Sequence, residues 1–589
     1  MRAGRLRRAV WVALAAASMS AAAASIRAYD FGWHLRSGDW ILEHGRPPLV
    51  DFLTFTAAGR PWIDHEWLFQ VLLAAVVAGG GLAAAWGLKL ILAGGAVLLP
   101  AGILLRRGHH PAVVGLMGVV ALAGARFRFF VRPEMAGLFL LAVILVLLMQ
   151  ARDASRGRRN PWPLLAPLPV VMLLWVNVHP SALLGAGLIL ITAVVTLAES
   201  RDPDAAWPFL ATAGGSLAAL LANPYGARVF HVPLAIGDAL AGSGLRNPEW
   251  GPTWQPTFWF FWLLLPALAI AAAVAWRRGI RLSYPMLFCG FALAVLGAAS
   301  LRFLGFFYIG LPLVVLGAID RESVAAGWQP ATEEPTSAVI SWTGVAVPLA
   351  AAVWFLVFPW GAPPGVGLAP GRFPEAMARS YGSLGLDGAL YHPVRFGGYL
   401  AWVLEPQPVF IDGRNEVHAE LLTEIAGYRQ AGDLGGWDGM LDRWSIQAAI
   451  LSYEDALLRV RLQDGSFVER SSRAVYFRRE GWALVDWDDT AMLLVRRDLL
   501  AGLPPGIRED SISFPDNPGR LAAELARGDL DPEEVLEMAR RRQETHPLSR
   551  RARLMERLAR EQMNRDRTLV RQGDGITPRE DSPSNSGKD

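Results

Sequence analysis

Apolar and polar positions divide the chain near residue 360. Before that point long apolar runs follow one another with short polar breaks, at 9–25, 67–105, 111–125, 135–150, 162–178, 182–199, 207–222, 257–276, 284–300, 303–318 and 339–359. A helix that crosses a bilayer needs about 20 predominantly apolar residues. The runs therefore predict a polytopic α-helical membrane protein with about 11 transmembrane helices in a domain over 1–360, with a first outer loop at 26–66. After a Gly361–Gly365 linker the pattern changes. Short β-like runs at Ala389–His392, Pro408–Ile411, Ala448–Ser452, Trp482–Val485 and Ala491–Arg496, with a helical stretch near 418–445, predict an extracytoplasmic α/β domain over 361–500. Residues 501–570 form a helical segment, repeat-like in its Leu521, Leu525 and Leu530 spacing, and 571–589 is a polar tail expected to be disordered.

Composition sharpens this division. The chain is 53% hydrophobic and only 19% charged, against about 25% charged in soluble domains, and its mean hydropathy is +0.29. A purely soluble enzyme, a disordered protein and a disulfide scaffold are excluded. The net charge of +3 comes without a basic, aromatic-interleaved stripe, so no nucleic-acid partner is expected. The lone Cys289 permits no disulfide within the chain.

Arginine placement sets the topology. Arg2, Arg5, Arg7 and Arg8 put the N-terminus in the cytoplasm. The run behind them reads either as a signal peptide ending near Ala21–Ser25 or, preferred here, as an uncleaved first helix. Arg106-Arg107, the cluster Arg152, Arg156, Arg158 and Arg159, and Arg277, Arg278 and Arg281 are likewise assigned to the cytoplasm. The C-terminal domain then lies outside, on a multi-pass protein of the cell inner membrane. The stretch 67–105 must cross an odd number of times; one crossing plus an apolar segment in the outer leaflet is expected, with Lys89 as the one ionisable residue in its interior. This topology places most polar motifs of the membrane half on one side: Asp30–Glu66, Arg126–Glu134, Asn177–Ser181, Asn223–Gly226, Glu249-Trp250 and Arg302.

In the first outer loop Asp30 is a candidate general base, and His34 follows one helical turn later. Trp33–Glu43 permits an amphipathic interfacial helix that Gly45-Arg-Pro-Pro48 ends. Asp64, His65 and Glu66 are candidates for substrate binding, and Asp64 and Glu66 for a divalent metal ion. Against this stands a plainer reading, in which the same residues satisfy loop amides and anchor interfacial tryptophans.

Asp30, Trp33-His34, Asp51 and the Trp62–Trp67 segment resemble the first outer loop of GT-C membrane glycosyltransferases. More closely, the chain is similar to bacterial GT-C-like (dolichyl-phosphate-mannosyltransferase-like) polytopic proteins. It shares the segments His65-Glu66-Trp67, Arg132-Pro133-Glu134, Asn177-Val178-His179 and Asn223-Pro224-Tyr225-Gly226, over roughly 9–500. The resemblance implies Asp30 as the catalytic base. No strict D-x-D occurs, and Asp64-His65-Glu66 is its approximate substitute.

Arg126, Arg128 and Arg132 violate the positive-inside trend and point to a bound anion such as a lipid-linked sugar's phosphate; pairing with Glu134 and headgroups is the alternative. Arg302 is a second phosphate candidate. Asn177 and His179 bind sugar hydroxyls or cap helix ends. Asn223–Gly226 is first a turn, with Tyr225 able to stack on a sugar. Glu249 beside Trp250 suits carbohydrate, though Trp250, Trp254 and Trp259 also read as an interfacial belt. Asp412 and Arg414 read as acceptor binding or, preferred, as an internal ion pair. No nucleotide-binding or zinc motif occurs. The leading expectation is transfer of a sugar from a polyprenyl-phosphate-linked donor to an envelope lipid, glycan or protein. The rivals are a non-catalytic envelope-assembly or glycan-binding protein, and a transporter, whose ionisable groups would sit at mid-membrane.

Overall fold

The computed structural model describes residues 2–200, 202–243, 248–320, 335–453, 457–461, 465, 467–510 and 518–573. The chain forms two compact units. The first holds Met1–Phe373 and Val394–Ala431, the second Pro374–Pro393 and Gly432–Asp589. The chain thus leaves the first unit, returns to it and leaves again, rather than crossing one boundary near 361.

The first unit is helical. In order it contains α1 Arg2–Ala22, α2 Phe31–His44, α3 Trp67–Arg107, α4 Pro111–Ala125, α5 Pro133–Arg156, α6 Trp162–Leu165, α7 Leu168–Val178, α8 Ala182–Ser200, α9 Pro203–Ala219, α10 Val232–Ser243, α11 Trp259–Arg277, α12 Tyr284–Ala299 and α13 Leu301–Val315, followed by a helix over Pro335–Val357. Each expected apolar run is largely helical, the run 162–178 being divided between α6 and α7. Among the described residues five stretches are long and apolar enough to cross a membrane: Trp67–Arg107, Pro111–Arg128, Pro133–Arg156, Ala182–Ser200 and Pro256–Arg277. α5 is the central one, with Leu138, Leu141, Ile144 and Leu145 wholly buried. α11 is its opposite and buries only Phe261.

The long run 67–105 is one helix with a break. Gly80 and Gly81 leave helical geometry, Gly81 at φ 63°, which divides α3 into 67–79 and 82–107. Lys89, the ionisable residue in its interior, donates to the Ala24 carbonyl, and Trp86 Nε1 donates to that of Ala23 at 3.1 Å. Both carbonyls lie just past the end of α1. A cation there meets unsatisfied carbonyls and the negative end of the helix dipole.

α2 ends as expected at Gly45, whose left-handed backbone (φ 67°) lets its N–H reach Ile41 O at 2.8 Å. It is not an open interfacial helix. Phe31, Trp33, His34, Leu35, Ser37 and Ile41 are all buried. A Cβ on Gly32 would lie 2.2 Å from Gly398 O, and one on Gly38 2.1 Å from Gln70 O. Two glycines therefore let α2 lie backbone against backbone on the helix Val394–Val403 and on α3.

The second unit carries a four-stranded sheet in the order β1-β2-β6-β5, from β1 Ala389–Tyr391, β2 Ile446–Ser452, β5 Trp482–Trp487 and β6 Ala491–Arg496. β1 runs parallel to β2 and the other pairs are antiparallel. A hairpin of β3 Leu457–Arg461 and β4 Phe467–Ser471 stands apart from it. Trp437 packs on Tyr391, Tyr476 and Phe477 beside this sheet. The expected strand Pro408–Ile411 is absent. Val409 makes a single bridge to Thr54, inside the first unit, so Asp412 and Arg414 belong there too. Helices Pro518–Arg527, Pro532–Thr545 and Arg550–Gly573 complete the second unit, and Arg542 pairs with Asp486 and Asp510 within it. Beyond Gly573 the expected tail lies outside the described residues.

Candidate functional site

Two polar networks meet at one end of the first unit. The first runs through Asp30. Asp30 precedes α2 at its N-cap, yet it makes no capping bond to the helix. Its carboxylate is committed to Arg132, Oδ2 to Nη2 at 2.7 Å, and remains 26% exposed. Arg132 also reaches Glu249 at 3.2 Å. Glu249 in turn pairs with Arg128 at 3.1 Å, and Arg128 grips Glu134 through both of its forks, Nε to Oε1 at 2.9 Å. Glu134 sits in the first turn of α5, where the helix dipole favours an anion. Burial pushes the Glu249 carboxyl up, but Arg128 and Arg132 outweigh it and bring it down to about 2. A Cβ on Gly413 would lie 2.7 Å from Asp30 Oδ1, so a larger residue there would press on the carboxylate. Nearby, Trp33 Nε1 and Arg132 Nε are buried donors without a hydrogen-bond partner.

The second network centres on Glu66. Three imidazoles face its carboxylate through Nε2: His65 and His179 at 3.7 Å and His34 at 3.8 Å. Burial raises the Glu66 carboxyl well above its ordinary range, with Arg302 opposing. Burial likewise drives His34 and His179 well below theirs and His65 to about 4. Burial thus disfavours charge on the carboxyl and on the imidazoles alike. His179 Nδ1 meets Ser181 Oγ at 2.7 Å, and its Nε2 lies 3.3 Å from Arg302 Nη2. Arg302 stacks on the Trp250 ring at 5.1 Å. Ser300 joins the two networks: it accepts the Arg302 N–H at the start of α13 and donates to Glu249 O at 3.0 Å. Among the described residues, Arg302 has no carboxylate in ion-pairing range.

The structure thus brings together Asp30, Arg128, Arg132 and Glu249, and beside them His34, His65, Glu66, His179 and Arg302. Other candidates it assigns to the scaffold. Asp64 Oδ1 accepts from Gln70 Nε2 at 2.7 Å while Oδ2 is buried without a partner, and burial lifts its carboxyl to about 7, the Gln70 bond opposing. Asn177 takes the Trp67 indole N–H at 2.8 Å and donates to Leu173 O and Ala222 O, which uses up its amide. Asn223 closes its own turn onto Tyr225 N and Gly226 O, and Tyr225 Oη donates to Pro48 O. The expected metal pair is not built as one. Among the described residues no group of three or more His, Cys, Asp or Glu is arranged to hold a metal ion.

No protein-family model matches the chain, and no curated protein matches it in sequence. Solved structures do resemble it. The archaeal oligosaccharyltransferase AglB from Archaeoglobus fulgidus, solved with an inhibitory peptide and a dolichol-phosphate, aligns over 97% of this chain and 86% of its own, at TM-score 0.52 and 11% identity. The chain has a GT-C-like fold. A second A. fulgidus oligosaccharyltransferase structure, in the apo form, covers 79% of this chain and 74% of its own at TM-score 0.47 and 12% identity. ArnT from Cupriavidus metallidurans, bound to undecaprenyl phosphate, covers 84% and 98% at TM-score 0.41 and 13% identity.

Sequence reasoning missed one feature of the site. Arg414 binds Asp412 through Nε at 2.9 Å and Nη2 at 2.5 Å, and reaches Asp51 of the first loop at 2.6 Å. His418 Nε2 lies 3.2 Å from Asp412. Burial would raise the Asp412 carboxyl, but Arg414 and His418 hold it far below the carboxylate range. The internal pair expected from Asp412-Gly413-Arg414 is present, and its second anion lies 363 positions away.

Proposed function

We propose that the protein is a membrane glycosyltransferase. It takes a sugar from a polyprenyl-phosphate-linked donor and passes it to an envelope lipid, glycan or protein acceptor at the outer face. The observation that carries this reading is the Asp30 carboxylate, partly exposed, fixed by Arg132 and flanked by unpartnered N–H donors of Trp33 and Arg132. A carboxylate held in place this way accepts the proton of an acceptor hydroxyl as it attacks the sugar. The unpartnered donors suit sugar or acceptor hydroxyls. Arg302, on the stacking face of Trp250 and, among the described residues, in direct ion-pair contact with no carboxylate, is the group that would hold the donor's phosphate. Arg128 and Arg132 are already neutralised by Glu134, Glu249 and Asp30, so their part is to position Asp30.

The test is transfer from defined polyprenyl-phosphate sugars by purified protein in liposomes, for wild type, Asp30→Asn and Arg302→Gln. Asp30→Asn is expected to lose about 100-fold or more in kcat, the usual weight of a general base. Arg302→Gln is expected to raise the KM for the donor. Equal kcat in wild type and Asp30→Asn refutes the role given to Asp30.

A further inference from the structure

Beside the Asp30 network lies a group of cations to which sugar transfer has so far given no part. Residues 23–29, between α1 and α2, run along residues 361–372. Backbone bonds already join the two segments: Gly365 N–H to Ala23 O and Ser25 N–H to Pro363 O at 3.0 Å, Ile26 N–H to Gly367 O at 2.8 Å, and Ala369 N–H to Ile26 O at 2.7 Å. No side-chain charge is needed to hold them together. Three cations gather there nonetheless. Arg27 is 8% exposed, its guanidinium lies 4.5 Å from the centre of the Phe130 ring, and its Nε is buried without a hydrogen-bond partner. Gly361, at φ 72°, leaves room for it: a Cβ there would fall on Arg27 Nη1. Arg372 donates through Nε to Arg27 O at 3.3 Å, its guanidinium 3.9 Å over the Tyr29 ring. Lys89 is 2% exposed, and its bond to Ala24 O uses one of three ammonium donors.

Among the described residues no carboxylate pairs with Arg27, Lys89 or Arg372. Burial pushes the Arg27 guanidinium down to about 10, and the neighbouring charges, Arg372 and Arg132, add to the fall. Like charges buried together cost stability until an anion joins them. The cluster is tied to the carboxylate of the site. The Phe130 ring that carries Arg27 also carries Arg132, at 5.2 Å, and Arg132 holds Asp30. Arg302 is linked to Arg132 by a different route, through Ser300 and Glu249. The surroundings suit a lipid. Lys89 belongs to a helix long and apolar enough to cross a membrane. Trp360, next to Gly361, is 47% exposed, as aromatic residues are at the level of lipid headgroups.

We infer that Arg27, Arg372 and Lys89 hold the phosphate of an anionic phospholipid on the Asp30 side of the membrane, and that this lipid is the acceptor of the sugar. The inference rests on the transfer reading above and names its acceptor class. Guanidinium forks suit phosphate oxygens, and a phosphate held there leaves the rest of the headgroup beside Asp30. A headgroup hydroxyl attacks the anomeric carbon and its proton passes to Asp30. The bond from that carbon to the phosphate oxygen breaks, and polyprenyl phosphate leaves with the electron pair beside Arg302. A neutral glycan acceptor would leave three buried cations unanswered.

The test uses the full chain in mild detergent, with dioctanoyl phosphatidylglycerol and uncharged dioctanoylglycerol as probes and binding read by calorimetric titration. Phosphatidylglycerol should bind about tenfold or more tighter, the weight of a few basic residues on a lipid phosphate. Arg27→Gln with Arg372→Gln should abolish the difference, and the paired lysine substitutions should keep it, which separates lost charge from lost fold. In liposomes with a defined donor, the glutamine pair should raise the KM for phosphatidylglycerol and leave that for the donor unchanged, and Arg302→Gln should do the reverse. Equal binding of the two probes by wild type, an unchanged difference in the glutamine pair, or sugar transfer to dioctanoylglycerol as readily as to phosphatidylglycerol overturns the inference. Displacement of phosphatidylglycerol by equimolar inorganic phosphate overturns the lipid. Displacement by equimolar undecaprenyl phosphate, or a raised donor KM in the glutamine pair, gives the cluster to the donor and overturns the acceptor. Equal kcat in wild type and Asp30→Asn is a separate failure: it removes Asp30 as the base, and the KM split still decides the acceptor.

Discussion

Replacing Arg414 by glutamine tests how the first loop is held. The guanidinium is 2% exposed and its partners Asp51 and Asp412 are wholly buried. Its removal leaves two carboxylates without their cation, and His418 alone remains beside Asp412. Stranding a buried charge in this way costs about 3–5 kcal/mol. For a chain of 589 residues that corresponds to a fall in Tm of about 2–4 °C, read by tryptophan fluorescence in detergent. The sign of the pH response is a second readout. In the wild type Asp412 is held well below its unfolded value, so its stabilisation is complete above that value, near 3.8, and is lost only at lower pH. In Arg414→Gln only His418 still opposes the burial that raises it, and protonation relieves the buried charge. The variant should therefore gain stability between pH 7 and 5, where the wild type stays flat. Adding Asp412→Asn to Arg414→Gln should recover part of the loss. The neighbouring Gly413 abuts Asp30, so transfer activity should fall with the anchor. A Tm change under about 1 °C, or strict additivity of the two substitutions, refutes the reasoning.

Two further outcomes follow from the same loop. Asp64 titrates near 7 in the folded protein against an ordinary 3.8, so its contribution to stability is complete below about pH 4 and is lost as pH rises through 7. The wild type should lose on the order of 4 kcal/mol over that range from this group, and Asp64→Asn, which keeps the Gln70 bond, should lack the slope; superimposable Tm–pH curves would show the burial argument to be wrong. Gly32→Ala should cost about 1–3 kcal/mol through overpacking, because its Cβ falls 2.2 Å from Gly398 O, whereas Gly87→Ala, with nothing within 4 Å, should cost nothing.

The apolar half of the fold was legible because lipid leaves little choice: an apolar run of bilayer length becomes a helix, and the expected runs are largely helical, five of the described stretches being long and apolar enough to cross a membrane. The arginine argument also carried further than a helix count. It grouped Arg107, Arg156 and Arg281, and the structure gathers all three around one cavity or its ion pairs. It also grouped Asp30, Arg132, Glu249 and Arg302, which meet at the other end. Sidedness is a property of each segment alone, so sequence can express it. Pairing is not. Arg132 reads as a phosphate ligand until its carboxylates are known, and Asn177 reads as a sugar ligand until Trp67 claims its amide oxygen. The three histidines around Glu66 stand at 34, 65 and 179, a spacing that matches no motif. The largest miss has the same origin. A polar stretch between apolar runs reads as an outer loop, and its charges as groups that meet substrate or satisfy loop amides. Asp51, Thr54 and Trp62 instead pack on 394–418 of the same unit, and Arg414 lies 4.2 Å above the Trp62 ring. The signal that existed lay in glycines rather than charges. Gly397-Gly398 and Gly413 mark where a Cβ would meet backbone or a carboxylate, and the partner in each case is the first loop or the nearby Ile411 segment. Asp30 is therefore best understood as a residue held between two distant parts of the chain, which is what a positioned base requires and what a solvated loop could not provide.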